Sequence, residues 1–371
     1  MPKLFEIFGY PIDDRSEEAQ QNRMEARCPF MGCDCDGGGN RYLSQIDLSR
    51  NPALKEMFPN RAKLAAGVCS IQVKNNSAPW IVCPRRLLVL GRERAGERTH
   101  QINAEIATLR LLGYPSGTRL GIWPEVKLKF ISVINEVQMS FDYTFDYLLM
   151  PISSVSQSEI ESTTNLPWSK LQKLLQNGGY TITKKGNEYY VEDCPTGVPS
   201  IIEIMTSSTS GGDKKARSTI PMAFEDVLLG RPHNAPSINY RQVWARMVSQ
   251  LIVKSEIALN WGGKAIWVVQ DLLVDYICAS TALNIRQFLS NNTSEVNLLS
   301  FSYQENFAIP TGVIDLSNPQ LFAGLMTSDS ANTSPRIPSF QDIIRAPICP
   351  PLDRLLAALA RRKPTNQVIA P

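Results

Sequence analysis

Histidine is the scarcest of the chemically active residues here. His100 and His233 are the only two in 371 residues, which excludes catalysis built on several imidazoles. Charge of one sign is also in short supply. With 38 Lys+Arg against 35 Asp+Glu, the net charge is only +3, so total charge does not single out a nucleic-acid partner; only local distribution can. Long apolar runs are missing too. The best candidate, AIWVVQDLLVDYICA, is broken by Asp271 and Asp275, so no membrane span is expected. The opening MPKLFEIFGYPIDDRSEE has no charged stretch leading into a long apolar one, so no signal peptide is expected. A cytoplasmic location with reduced thiols follows as the expectation. No internal repeat is found. The 43% apolar, 20% charged composition is that of a globular chain, long enough for one large domain or two to three ordinary ones.

Cysteine is unevenly spread. Five of eight lie between residues 28 and 83, in CPFMGCDC (28–35), AAGVCS (65–70) and WIVCPRRLL (80–88). The charged stretch GRERAGERTH then marks the edge of an N-terminal module over 1–95. Ile102, Ile106, Leu109 and Leu112 recur at helical spacing before Gly113, so 102–113 reads as a helix. Strands are expected at 120–136, 137–150, 200–206 and 264–270, and helices at 240–263 and 271–289. The order is helix, strand, strand, strand, helix, strand, helix, an α/β arrangement over 96–326. Residues 164–194 interrupt it with a short helix and a hairpin turning at Lys185-Gly186-Asn187. Residues 327–371 form a C-terminal extension, a polar Ser/Pro stretch followed by a short basic amphipathic helix.

Four thiolates about 2.3 Å from a metal make a tetrahedral site, and turns close in sequence can supply them. One pair of cysteines is available in CPFMGCDC and another in Cys69 and Cys83; Cys33 is the surplus one. Sulfur ligands without a local histidine suit iron or zinc equally. Buried, reduced cysteines with no metal are the alternative.

The stretch SIIEIMTSSTSGG (200–212) places one carboxylate inside an apolar strand that ends in a small polar loop. Residues two apart on a strand face the same way, so Glu203 and Met205 share a face, as do Asp142 and Asp146 on the preceding strand. An Asp on one strand and Glu203 on the next could hold Mg²⁺, which activates water for attack on phosphorus. A metal-dependent nuclease needs this arrangement. Carboxylates that are merely solvated or hydrogen-bonded near strand ends are the other reading.

The CPFxGxxC opening from Cys28 to Cys35, the GVC at Cys69 and the CPRR from Cys83 to Arg86 carry a resemblance. So do FDYLL (145–149), EIMT (203–206) and the stretch Arg246 to Gln250 with Lys254 beyond it. In this order they resemble the NotI-like type II restriction endonucleases of the PD-(D/E)XK superfamily, over roughly residues 28–275. The resemblance implies a PD-(D/E)XK nuclease core, a mixed β-sheet flanked by helices, with a small N-terminal four-cysteine metal-binding module. It implies that Cys28, Cys35, Cys69 and Cys83 ligate one iron, or alternatively zinc. Asp146 and Glu203 would bind the catalytic Mg²⁺. A homodimer would cut both strands of double-stranded DNA at a palindromic, GC-rich site. Asp146 is preferred to Asp142 because Leu148 and Leu149 continue its strand. Met205 departs from the pattern, since such enzymes carry glutamine or lysine there, and a thioether is a poor ligand for Mg²⁺. Lys214, Gln250 and Lys254 are the candidates to replace that group, with Met205 itself expected to face the metal and phosphate. Arg85 and Arg86, following a ligand cysteine, would meet DNA phosphates. Lys184 and Lys185 would either reach a DNA groove or form a solvated turn. The rival reading is a DNA-binding protein on a nuclease-like fold whose catalysis is lost; a purely structural metal-stabilised protein is a third.

Overall fold

The protein is described by a computed structural model covering residues 1–38, 45–75, 77–90, 102–134, 137–280, 283–304, 312–326 and 340. Its first part forms a four-stranded sheet from β1 (Lys3–Ile7), the short strand Tyr10–Pro11, β2 (Val68–Gln72) and β3 (Trp80–Ile81). One helical turn, α1 (Pro84–Leu87), follows directly. Its Pro84 suits a first turn, where the missing N–H would have no partner anyway.

The α1 turn carries Arg86 into the interior, fully enclosed. The Arg86 guanidinium donates to both Glu6 oxygens at 3.0–3.2 Å and to the Ile314 carbonyl at 2.6 Å. Glu6 also accepts from the Ser70 hydroxyl at 2.8 Å and the Tyr303 hydroxyl at 2.6 Å. The Phe30 and Tyr303 rings lie 5.1 and 4.8 Å from the guanidinium carbon. A buried ion pair offsets its desolvation better when the acceptor's other lone pairs are bonded as well, as those of Glu6 are. The network ties the N-terminal segment to the large sheet.

That sheet begins after α2 (Ile102–Leu112), with β4 (Leu120–Ile134) and the long β5 (Val137–Ser156). Next come α3 (Gln157–Thr164), α4 (Trp168–Asn177), β6 (Ile182–Lys185), β7 (Glu188–Pro195) and β8 (Ser200–Met205). The chain continues through α5 (Ile220–Leu228), α6 (Tyr240–Asn260), β9 (Ala265–Gln270), α7 (Asp271–Ser280), β10 (Val296–Tyr303) and β11 (Leu316–Gly324). Among the described residues the sheet has eight strands, in the order β6-β7-β5-β8-β9-β10-β11, with β4 paired to β5. The β8–β9 and β9–β10 pairs are parallel and the remainder antiparallel.

Burial explains this arrangement. All six residues of β9 (AIWVVQ) are buried, as expected of a parallel strand covered on both faces. Val243, Met247 and Leu251 of α6 and Val274 and Ile277 of α7 share one core with Trp267 and Val269. On the other face, Leu87, Leu88, Ala104 and Leu112 share a core with Leu149, Ile202, Ile266 and Val268. The expected mixed sheet flanked by helices is therefore present.

Most expected elements recur with small shifts at their ends. The helix expected over 271–289 is the exception: α7 ends at Ser280, and Ile285–Phe288 forms a separate 3₁₀ turn. Strands β10 and β11 extend the sheet where no element was expected. The interruption at 164–194 contains α4 and the β6–β7 hairpin, and packs on its own cluster of Val155, Ile160, Leu171, Val191 and Cys194. The stretch 91–100 and the extension 327–371 lie outside the described residues, except Phe340, whose ring sits 4.5 Å from that of Phe288. No helix among the described residues is long and apolar enough to cross a membrane.

Candidate active site

Hydrogen-bonded pairing of β5 with β8 runs from Leu149↔Ser200 to Tyr147↔Ile202 and stops there. The next residues on each strand are Asp146 and Glu203, and their carboxylates take over the backbone donors freed by the break. Ile204 N–H donates to Asp146 Oδ2 at 2.8 Å, and Asp146 N–H donates to Glu203 Oε1 at 3.3 Å. Lys254 enters from α6. Its ammonium donates to Glu203 Oε2 at 2.5 Å and to the Thr144 carbonyl at 2.8 Å, and lies 5.6 Å from the Phe145 ring centre. Glu203 and Lys254 are both nearly inaccessible to solvent.

Burial sets the electrostatics. It is the largest influence on Glu203, and the neighbouring Asp146 charge adds to it; together they push the carboxyl up to about 8 despite the opposing Lys254. Asp146 is also raised, chiefly by desolvation. Burial thus raises both carboxyls despite the cations nearby. Such a donor set fits a hard divalent cation, which would favour the charged form of both.

A cleft of 580 Å³ opens beside this pair, lined by Asp146, Met205, Arg85, Glu125, Arg246 and Gln250 among others. Met205 is only 6% exposed and belongs to the core cluster that contains Val243 and Met247, so it presents no more than an edge to the cleft. Asp142 lies four residues along β5 from Asp146, exposed, and pairs with Lys127 at 3.4 Å and Lys129 at 3.2 Å. It lines an adjoining 430 Å³ recess with Asp146, Gln250 and Lys254.

The structure separates the other expected site residues from this group. Arg86 is enclosed by Glu6 and faces no surface, contrary to its expected role at phosphates. Lys214 is exposed and lines a different pocket. Lys184 and Lys185 sit at the tip of the β6–β7 hairpin, which pairs with the Ile152–Ser156 end of β5. At about 3.3 Å per residue, that pairing starts roughly 20 Å along the strand from Asp146 and leads away from it. Arg85 does line the cleft, held by Asp36 at 3.3 Å and Glu125 at 2.9 Å.

Glu125 was missed by sequence reasoning. It stands opposite Asp146, where the β4–β5 register skips a pair, with φ +51°. The signal was there: proline inside a strand cannot donate to the ladder, so the residue beside it is where pairing lapses and a side chain can turn out of line.

Cys28, Cys69 and Cys83 share one small buried cluster, with Cys35 packed against it. Gly9 N–H donates to Cys69 Sγ at 3.2 Å, and backbone N–H groups of Phe30 and Met31, of Gly37, and of Arg85 and Arg86 act to lower Cys28, Cys35 and Cys83 respectively. A Cβ on Gly38 (φ +71°) would lie 2.9 Å from Cys83 Sγ, so only glycine lets this turn pass. Burial, then the Cys83 charge, pushes the Cys28 thiol up to about 12. The hydrogen bond between Cys69 and Cys83 lowers Cys83 and raises Cys69. N–H donors aimed at sulfur favour thiolates, the form that binds metal, so the donor set fits iron or zinc. As placed, the ligand shell is not closed: among the described residues no group of three or more His, Cys, Asp or Glu is poised to hold a metal ion.

No family model, curated protein or solved structure matches this chain.

Proposed function

We propose that the chain is a Mg²⁺-dependent endonuclease with a PD-(D/E)XK core, hydrolysing phosphodiester bonds in double-stranded DNA. The observation that carries this reading is the hydrogen-bonded set of Asp146, Glu203 and Lys254 where β5 and β8 part, at the edge of a cleft large enough for a phosphodiester. Asp146 and Glu203 are the residues that would hold Mg²⁺, which supplies Lewis acidity toward a phosphate oxygen and an activated water.

The chain's own residues do the rest. Lys254 compensates Glu203 and could supply the polar group that the resembled family carries as a strand lysine or glutamine. A lysine reaching the same carboxylate from α6 makes Met205 dispensable as a polar group, which weighs against catalysis having been lost there. Arg85, Arg246 and Gln250 line the approach and can orient phosphate oxygens through charge and hydrogen bonds. The four cysteines would hold iron or zinc as a structural centre, with Arg85 two residues from Cys83. The homodimer and the palindromic, GC-rich site rest on the motif resemblance alone.

Incubation of phage DNA with the protein and Mg²⁺ tests this reading. Discrete fragments are expected from the wild type and none from Asp146→Ala or Glu203→Ala, with DNA binding retained in both variants. Normal cutting by Asp146→Ala would overturn it.

A further inference from the structure

We infer that the pocket next to the catalytic cleft receives a single extrahelical nucleobase of the DNA substrate; this rests on the endonuclease reading. The pocket has a volume of 520 Å³ and shares Gly38 and Val82 with the wall of the cleft. A strand lying along the cleft therefore passes its mouth. Its volume falls within the roughly 300–1,000 Å³ of small-ligand sites, too small for a duplex and ample for one nucleotide.

The lining has two parts. Ala66, Val68, Val82, Ile220 and Pro221 supply apolar walls suited to the faces of a ring. The Ser207–Gly211 loop and Gln242 supply a polar rim suited to its edge, with exposed Lys214 at the mouth, where a flanking phosphate would lie. Pockets that read an extruded base combine these two features.

Ser207 supplies a polar group to the pocket. It is 5% exposed and lines the pocket, and its hydroxyl has no hydrogen-bond partner among the described residues. The oxygen itself is not among the buried, unpaired polar atoms, so it stays open to the pocket, where a base edge could replace water as its partner. The Gln242 side-chain oxygen accepts from Asn239 at 3.3 Å, while its amide nitrogen has no partner among the described residues. The rim is already rigid: Ser210 N–H donates to the Ser237 carbonyl and Asn239 N–H to the Ser208 carbonyl, both at 2.7 Å. Asp213 then closes the following turn by accepting from Lys215 N–H at 2.7 Å.

The test uses the cleaved site, read by sequencing fragment ends, in duplexes carrying 2-aminopurine at one position at a time. Binding is followed in Ca²⁺ in place of Mg²⁺. Unstacking on extrusion should raise fluorescence several-fold at one position with wild-type protein. Gly211→Trp should abolish that rise while melting like the wild type, because a Cβ at Gly211 meets no atom within 4 Å. If no position brightens on DNA that is bound and cut, or if brightening survives Gly211→Trp, the inference is overturned. A second arm separates it from the endonuclease reading. Binding of 2-aminopurine deoxyribonucleoside monophosphate by the wild type and not by Gly211→Trp supports the pocket even if no DNA is cut. Where no DNA is cut, failure of the wild type to bind the monophosphate overturns the pocket.

Discussion

Replacing Glu203 by glutamine isolates the electrostatic cost of the site, since it removes one titration and keeps the shape. In metal-free protein the Glu203 carboxyl is lifted from its ordinary 4.5 to about 8, first by burial and then by Asp146. A raised folded-state value means that the folded protein keeps this proton after the unfolded chain has released it. Stability from this group is thus fully present below pH 4.5 and is lost as pH rises through 8. That interval corresponds to about 5 kcal/mol, of which about 4 kcal/mol falls between about pH 5 and pH 9. Glu203→Gln has no such slope. Urea unfolding in EDTA, followed by tryptophan fluorescence at pH 5, 7 and 9, should show the variant gaining on the wild type by that amount. Adding Mg²⁺ should flatten the wild-type profile and leave the variant unmoved. Parallel pH profiles for the two proteins would refute the reasoning, because Glu203 would then carry no electrostatic cost of burial.

Lys254→Ala should lower single-turnover cleavage by about 10²–10³-fold, the usual effect of losing one preorganised charge-stabilising group, with DNA binding little changed in a gel-shift assay. Met205→Gln should cost about 1–3 kcal/mol in urea unfolding without raising the cleavage rate, because the amide enters the cluster of Val243 and Met247. Arg86→Ala should destabilise the fold by about 3–5 kcal/mol by leaving Glu6 buried and unpaired. Arg85→Ala should instead fold normally and bind DNA with a shallower salt dependence, measured as the slope of log affinity against log salt. Freshly purified wild type should contain about one iron or zinc per chain by elemental analysis, and Cys83→Ser should lose it.

Much of the local structure was legible in the residues themselves. Continuous apolar runs such as AIWVVQ marked buried strands, and helical spacing with a terminal glycine marked α2 and α6, because these patterns depend only on local geometry and solvent. The carboxylate inside SIIEIM was visible for the same reason: a lone charge in an apolar strand is costly unless partnered, so its presence asked for a partner. The clustering of cysteines between 28 and 83 was equally open to view.

Which residues meet was decided elsewhere. Arg85 and Arg86 are neighbours of one chemical type, yet one turn of helix sends Arg86 to Glu6 and Tyr303 and leaves Arg85 in the cleft. Lys214 lies closer in sequence to Glu203 than Lys254 does, but α6 packs back over β8 and delivers Lys254. Glu125 reaches Asp146 only through a skipped pair in a long antiparallel ribbon. Local sequence dictated the elements and the demand for partners, since propensity, periodicity and the cost of burying charge act over a few residues. The partners were chosen by the packing of helices on the sheet, because contacts between residues tens to hundreds apart are set by how whole faces fit together.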